Sequence, residues 1–359
     1  MGLDRIVLKG YKSIAECDLE LKNLNVLIGP NGAGKSNFIG FFKLIQQMLE
    51  SNLQRAVSKQ GGPDALLHFG RKKTEFIDAG LYFDNNGYKF SLEPTSDNRM
   101  MFKNEYFYWN HSRGDYFLGS GHFETKSEDT PSNYKRLYSY VIPPMKKWQV
   151  YHFHDTSDSA LVKQAHPIYD NLYFRPDARN LAAYLYFLKT HHEKSFMKIE
   201  KTIRLVAPFF GKFLLRPMTD NVQNIQLEWF EEGEDFPFKA SNFSDGTLRF
   251  ICLATLLLQP EDLQAETIII DEPELGLHPY AITVLAGLLK SISQNKQIII
   301  STQSVDLLSE FSAEDVIVVN REDNRSVLSR LDVSKLSSWL EEYSLGELWK
   351  KNLLGGRPS

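Results

Sequence analysis

The 359-residue sequence predicts an α/β fold with a mostly parallel core sheet, an antiparallel β part near its beginning and an α+β insert in its middle. Three observations predict it. Apolar strand-like runs alternate with helical patterns in both outer parts of the chain: "LNVLI" early, "TIIID" and "KQIIIST" late. Strands apolar along their whole length are buried on both faces, as in a parallel sheet covered by helices. Between about residues 94 and 239 this regularity gives way to dense aromatics and repeated prolines.

The elements follow in order. "RIVLKGY" and "CDLELKNLNVLIG" read as strands. "GKSNFIGFFKLIQQMLESNLQRAV" reads as one long helix, with Phe38, Phe41, Phe42, Ile45, Met48 and Leu49 recurring at helical spacing toward the core. "GGP" at Gly61 to Pro63 punctuates the chain, and "EFIDAGLYFD" with "GYKFSLE" predicts a hairpin around Asn85, Asn86 and Gly87. In the insert, "DARNLAAYLYFLKTHHE" and "SFMKIEKTIRLVAPFF" predict helices, and the prolines exclude a long coiled coil. A helix then runs from Thr247 to Gln259 and stops before Pro260. The strand "TIIID", a helix opening near His278 and Pro279, the strand "KQIIIST" and a closing hairpin of "DVIVVNR" with "SVLSRL" complete the pattern. The implied division is 1–94 and 240–331 as two halves of a core, 95–239 as an insert and 332–359 as a helical tail.

Composition is that of a soluble globular chain, 42% hydrophobic and 24% charged. The net charge of −4 excludes a surface coated in positive charge, though a local basic patch for nucleic acid stays open. Cys17 and Cys252 fit no ligand spacing and read as inert thiols of a cytosolic protein. The alternating, charged "MGLDRIVLKGYKS" is no signal peptide, and Ile6 stands where a myristoylation motif needs Ser or Thr. Every apolar run is too short to span a bilayer, so a cytoplasmic location without membrane contact is expected.

The chemistry gathers around "IGPNGAGKSN", which matches G-x-x-x-x-G-K-[ST] between an apolar strand and a helix. Its residues Gly29, Pro30, Asn31, Gly32, Ala33, Gly34, Lys35, Ser36 and Asn37 are candidates for ATP binding. Backbone N–H groups curl around phosphate oxygens, and the helix N-terminus adds partial positive charge. Lys35 is expected at the β/γ-phosphates and Ser36 on Mg²⁺. "TIIIDEP" ends a buried strand in two carboxylates: Asp271 is assigned to the metal and Glu272 to the general base that activates water. Ser244 in "FSDGTLRF" is at the least a helix N-cap.

Four stretches stand in order: "GPNGAGKSN", "FSDGTLRF", "IIIDEPELGLHP" and "IIISTQS". Together they resemble the ABC-type ATPase heads of the SMC, RecF and OLD families, and most of all the stand-alone RecF/OLD-like AAA ATPases of bacteria, whose characteristic ending "WLEEYSLGELWKKNLLGGRP" resembles. The likeness is strong over 1–94 and 240–359 and looser in the middle, through "YHFHDTS" and "RPDARNLAAYL". It implies a homodimer with ATP sandwiched between heads. "SDGT" is then the signature turn, with Ser244 and Gly246 meeting the γ-phosphate held by the partner subunit's Lys35. Asp245 departs from the second small residue of transport cassettes. Gln303 holds the place of a switch histidine, implying a polar sensor that does not titrate near neutral pH; a strand-end structural role is the other reading. By the same resemblance Lys12 and Ser13 of "GYKSI" line the nucleotide, and "LLHFGR" with His68 is a region for a further water or metal contact.

The family's Toprim nucleases need Asp-x-Asp, which occurs nowhere in these 359 residues. The expected function is therefore an ATP-hydrolysing switch that controls a separate effector, a nuclease or Toprim-like protein; the resemblance implies antiphage defence as its setting. A DNA-repair ATPase with DNA across its dimer and a P-loop small-molecule kinase are the alternatives. His152, His154 and Asp155, like His191 and His192, lack zinc spacing, and Arg175 and Arg179 suit a phosphate, a partner or a helix-start surface.

Overall fold

The structure, a computed structural model, describes residues 2–110 and 115–355. Residues 111–114 of the expected insert and 356–359 of the expected tail, including the "GRP" of its motif, lie outside the described residues. Two compact units result: residues 1–150, 265–271 and 293–359, and residues 151–264 and 272–292.

The first unit holds two sheets. Strands β1 (Arg5–Tyr11), β2 (Ile14–Glu20), β4 (Ile77–Phe83), β5 (Asn86–Pro94), β6 (Met100–Trp109) and β7 (Tyr116–Gly119) form an antiparallel sheet in the order β2-β1-β4-β5-β6-β7. The second sheet contains β3 (Leu24–Ile28), β8 (Thr267–Asp271), β9 (Gln297–Thr302), β10 (Val316–Glu322) and β11 (Arg325–Arg330), running β11-β10-β3-β9-β8. β3 pairs in parallel with β9 and β10, and β9 with β8; β10 and β11 form an antiparallel hairpin. Asp323 and Asn324 between them both have positive φ, the backbone that a two-residue hairpin turn requires.

Helix α1 (Lys35–Leu49) joins the two sheets into one core. Its expected apolar stripe is present, and Ile39 and Leu44 are buried as well, because the helix is covered on more than one side. Phe42 meets Trp148 edge-on with ring centroids 5.2 Å apart. The long helix expected from this region is two: Ser51, at φ 56°, breaks it, and a separate helix runs Leu53–Lys59. The hairpin after it turns at Asp84 and Asn85, slightly earlier than the glycine signal suggested. The antiparallel sheet also runs past residue 94. A bulge between Ser91 and Leu92 pairs them with Asn104 and Phe102, so the inward positions of β6 change from Met100 and Phe102 to Glu105 and Phe107. That shift of phase hides the alternation by which a strand is recognised.

The second unit is mainly helical: α2 (Leu181–His191), α3 (Glu193–Val206), α4 (Asp245–Leu258) and α5 (Pro279–Ile292), with α3 packed against α2, α4 and α5. A three-stranded antiparallel sheet of Phe210–Leu214, Glu228–Glu231 and Pro237–Lys239 stands beside them. The aromatic density of the insert becomes its core: Trp229 stacks on Phe243 at 4.3 Å, and Phe210 packs against both at 6.1 and 6.3 Å. α4, grouped with the core halves by the sequence reading, sits in this unit, since it is apolar almost all round and periodicity does not say which element covers it. Among the described residues no helix is long and apolar enough to cross a membrane.

Lys296 and Glu266 pair at 2.7 Å beside the starts of β9 and β8. The pairing holds the Glu266 carboxyl down at about 2. A depressed carboxyl adds stability above its unfolded value near 4.5 that fades as pH falls toward about 2. Glu266→Gln should therefore cost about 1 kcal/mol at pH 7, discounted for partial exposure, and much less at pH 3, as read by urea unfolding at the two values.

Candidate functional site

The first unit gathers most of the expected residues on one sheet edge by register alone. Ile28 at the end of β3 is level with Thr302 of β9, and Ser301 is level with Asp271 of β8. The phosphate loop, Gln303 and Asp271 thus leave neighbouring parallel strands at the same end, within a backbone span of about 10 Å at ordinary strand spacing. Ligands of open α/β sheets bind beyond this carboxyl end. Fully buried Ser301 donates its hydroxyl to the Asp271 carboxylate and fixes its direction. Gln303 is exposed, and Ser304 after it caps the helix Val305–Ser309.

The loop is held from several sides. Lys35, 5% exposed, donates from Nζ to the carbonyls of Gly29 at 2.5 Å and Pro30 at 3.1 Å. Asn31, Gly32 and Ser36 are exposed, whereas Ala33 and Gly34 are buried. Gly34 has φ 115°, and a Cβ there would overlap the Ser326 hydroxyl and come within 2.8 Å of Ser13 Oγ. Ser13 is the centre of this support. Asn37 Nδ2 donates to its hydroxyl at 2.6 Å, Ser326 Oγ lies 2.7 Å from it, and the Ser326 N–H donates to its carbonyl at 2.7 Å. Lys12 sits at φ 49°, its carbonyl 2.7 Å from His68 Nδ1, and burial lowers the pKa of its ammonium. His68 therefore acts on the backbone of the "GYKSI" turn, which gives the region flagged in the sequence a structural role.

Two residues escaped the sequence reading. Ser326 also donates to the Ala33 carbonyl at 2.5 Å, and Arg321 Nη1 donates to the Gly32 carbonyl at 3.0 Å. Both flank the Asp323-Asn324 turn, a visible hairpin signal whose destination, the phosphate loop, is not written in the sequence. A serine hydroxyl in the first turn of α1 and a carboxylate closing β8 are oxygen donors, the kind that suits Mg²⁺. Among the described residues no three His, Cys, Asp or Glu side chains come together to form a metal site on their own.

The second unit carries Glu272 and the signature turn. Glu272 follows Asp271 directly and adopts φ 47°, a left-handed conformation costing a non-glycine residue about 1 kcal/mol. Ser244 caps α4: its Oγ accepts from the Thr247 N–H at 3.2 Å. Ser244 and Asp245 are exposed. Gly246 lies so close to the Gly276 carbonyl that a Cβ would overlap it. Arg249, a further residue the sequence reading missed, holds this turn in place. Its guanidinium donates to the carbonyls of Leu275 at 3.0 Å, His154 at 2.9 Å and Phe153 at 3.2 Å, and to the Thr156 hydroxyl at 3.1 Å. "YHFHDTS" thus earns its place among the motifs through its backbone, while the rings of His152 and His154 lie 3.6 Å apart. In "RPDARN", Arg175 pairs with Asp170 and Arg179 with Asp177. Fully buried Asn180 ties that loop by bonds to the carbonyls of Asp170 and Tyr173 and from the Arg175 N–H.

Residues 24–309 match the family model described as "AAA domain, putative AbiEii toxin, Type IV TA system". The chain is 35% identical over 121 residues to the Old nuclease of Escherichia phage P2, covering 31% of this chain and 21% of that protein. It is 29% identical over 91 residues to the chromosome partition protein Smc of Methanocaldococcus jannaschii, covering 25% of this chain and 8% of Smc. The chain thus spans a small part of either relative's length. In fold it is similar to the crystal structure of an SmcHead bound to the C-winged helix domain of ScpA, with TM-score 0.64, 17% identity and coverage of 94% of this chain and 100% of that one.

Two substitutions test the supports. Arg249→Ala should cost about 2–3 kcal/mol, since it leaves carbonyls without their donor, and should lower the urea midpoint. Ser326→Ala should weaken ATP binding by about 1 kcal/mol, roughly fivefold in Kd by titration calorimetry, with little change in overall unfolding.

Proposed function

The chain belongs to this family of AAA domains, ABC-type ATPases related to the OLD and SMC proteins, and on that premise we propose that it binds and hydrolyses ATP as a dimeric switch controlling a separate effector. The observation that carries the proposal is the shared strand edge, where the phosphate loop, Gln303 and the Ser301-oriented Asp271 leave adjacent parallel strands. The loop N–H groups and Lys35 bind the phosphates. Mg²⁺ held by Ser36 and Asp271 would neutralise phosphate charge and polarise the bond to be cleaved. Glu272 takes a proton from the attacking water, and Gln303 donates a hydrogen bond toward the γ-phosphate.

The exposed Ser244 cap supports closure in trans. A hydroxyl and free N–H groups at the start of a 14-residue helix suit an anion. In the dimer, Ser244 and Gly246 meet the nucleotide on the partner subunit's Lys35. Arg249 fixes the turn beforehand, so little ordering is needed on closure. The likeness to the Old nuclease supports a nuclease as the effector, with antiphage defence as the setting.

Light-scattering mass of Glu272→Gln with and without ATP and Mg²⁺ tests the switch. A mass increase with ATP that disappears on adding Ser244→Arg is expected. An unchanged mass, or hydrolysis at the normal rate by Ser244→Arg alone, would overturn closure in trans.

A further inference from the structure

The ending "YSLGELWKKNLLGG" has no part in the machinery described above, yet it is built tightly onto it. Ser344 Oγ accepts from the Glu347 N–H at 3.3 Å while Glu347 accepts from the Ser344 N–H at 2.8 Å, a reciprocal cap on the helix Leu345–Lys350. Six residues do not sustain a helix alone. This one depends on what it covers, with Leu345, Leu348 and Trp349 buried. It packs on the helix Val305–Ser309, which opens two residues after Gln303. Gly346 is the point of closest approach. A Cβ there would overlap Ser309 Oγ and lie 2.5 Å from the Val305 carbonyl, so no side chain fits. Farther on, Leu354 is buried, and Gly355 comes against Asn320 and Val318 of β10, the strand whose far end sends Arg321 to the phosphate loop.

We propose that residues 344–355 are a clamp that positions Gln303, with Gly346 setting how closely it grips. The helix Val305–Ser309 is a single turn, anchored by the Ser304 cap, buried Leu307 and Leu308 and the clamp itself. A displacement of that turn reaches Gln303, just past the end of β9, through Ser304. A branched side chain at position 346 meets backbone at Val305, which cannot rotate away as a side-chain tip can, and so moves the turn. Gly346 touches no nucleotide; it is a positioning residue that acts through Gln303. The inference rests on the sensor role proposed for Gln303.

The test compares the full-length protein with Gly346→Val, Gln303→Ala and the double variant. Gly346→Val should bind ATP within about twofold of the parent, yet hydrolyse it about tenfold more slowly through kcat, as Gln303→Ala does. The double variant should be no slower than the slower single one, because residues acting through one another are not additive. Losses that multiply, or Gly346→Val at the parental rate, overturn the clamp. If the parent hydrolyses no ATP, the enzymatic reading falls separately, and hydrogen exchange of the nucleotide-free proteins decides. Faster exchange at residues 303–309 in Gly346→Val, with 29–37 unchanged, supports the clamp; unchanged exchange at 303–309 overturns it. Should Gly346→Val fail to fold, Ser344→Ala, which removes only the cap, carries the same comparison with about a threefold effect on kcat.

Discussion

The register of three parallel strands is the constraint on which the rest depends. β3, β9 and β8 are largely apolar and buried, so each is held in place by packing from both faces. A slip by one residue would reverse the direction of every side chain in the strand. Ser301 would then turn from Asp271, and the loop after Ile28 would lose its level with Gln303. Hydrophobic burial thus determines the placement of polar groups that contribute nothing to it.

Around that edge the polar groups are positioned chiefly by backbone contacts. Ser13, Ser326 and Arg321 bind carbonyls or one another around the phosphate loop, and Arg249 does the same for the signature turn through three carbonyls. Both supports gather segments far apart in sequence, since Ser326 stands more than 300 residues beyond Ser13. Each also faces a glycine with no room for a Cβ, Gly34 in one case and Gly276 in the other. Motifs of this kind are short because the loop carries the shape while distant residues supply the bonds.

This explains what was legible in the sequence. The phosphate loop, the Asp271-Glu272 strand end and the strands of the core sheet declare themselves through local pattern: glycine spacing, apolar runs and a helix start. The long helix from residue 34 did not, because Ser51 breaks it with nothing in its periodicity to warn of it. β6 was obscured by a bulge, and the neighbours of α4 were not legible because an all-round apolar helix names no partner. Ser326, Arg321 and Arg249 lay beyond reach, since their bonds are made to backbone atoms that every residue has. Glu272 was found by its position after the strand, but its left-handed backbone was visible only in the structure.

The central place of β3 also has a bearing on how the chain is made. Its parallel neighbours β9 and β10 follow it by roughly 270 residues or more, as the pairing of Leu24 with Ile298 shows. At about 5–20 residues per second, a ribosome takes roughly 15–55 s to deliver them. Throughout that interval a largely apolar strand has both hydrogen-bonding edges unmatched. α1 and the antiparallel sheet, whose first two strands precede β3, belong to its final core and are available early to shield one face. Nascent chains on neighbouring ribosomes would carry the same open edges, so the order of synthesis makes early docking of α1, or a chaperone in its stead, a condition of yield.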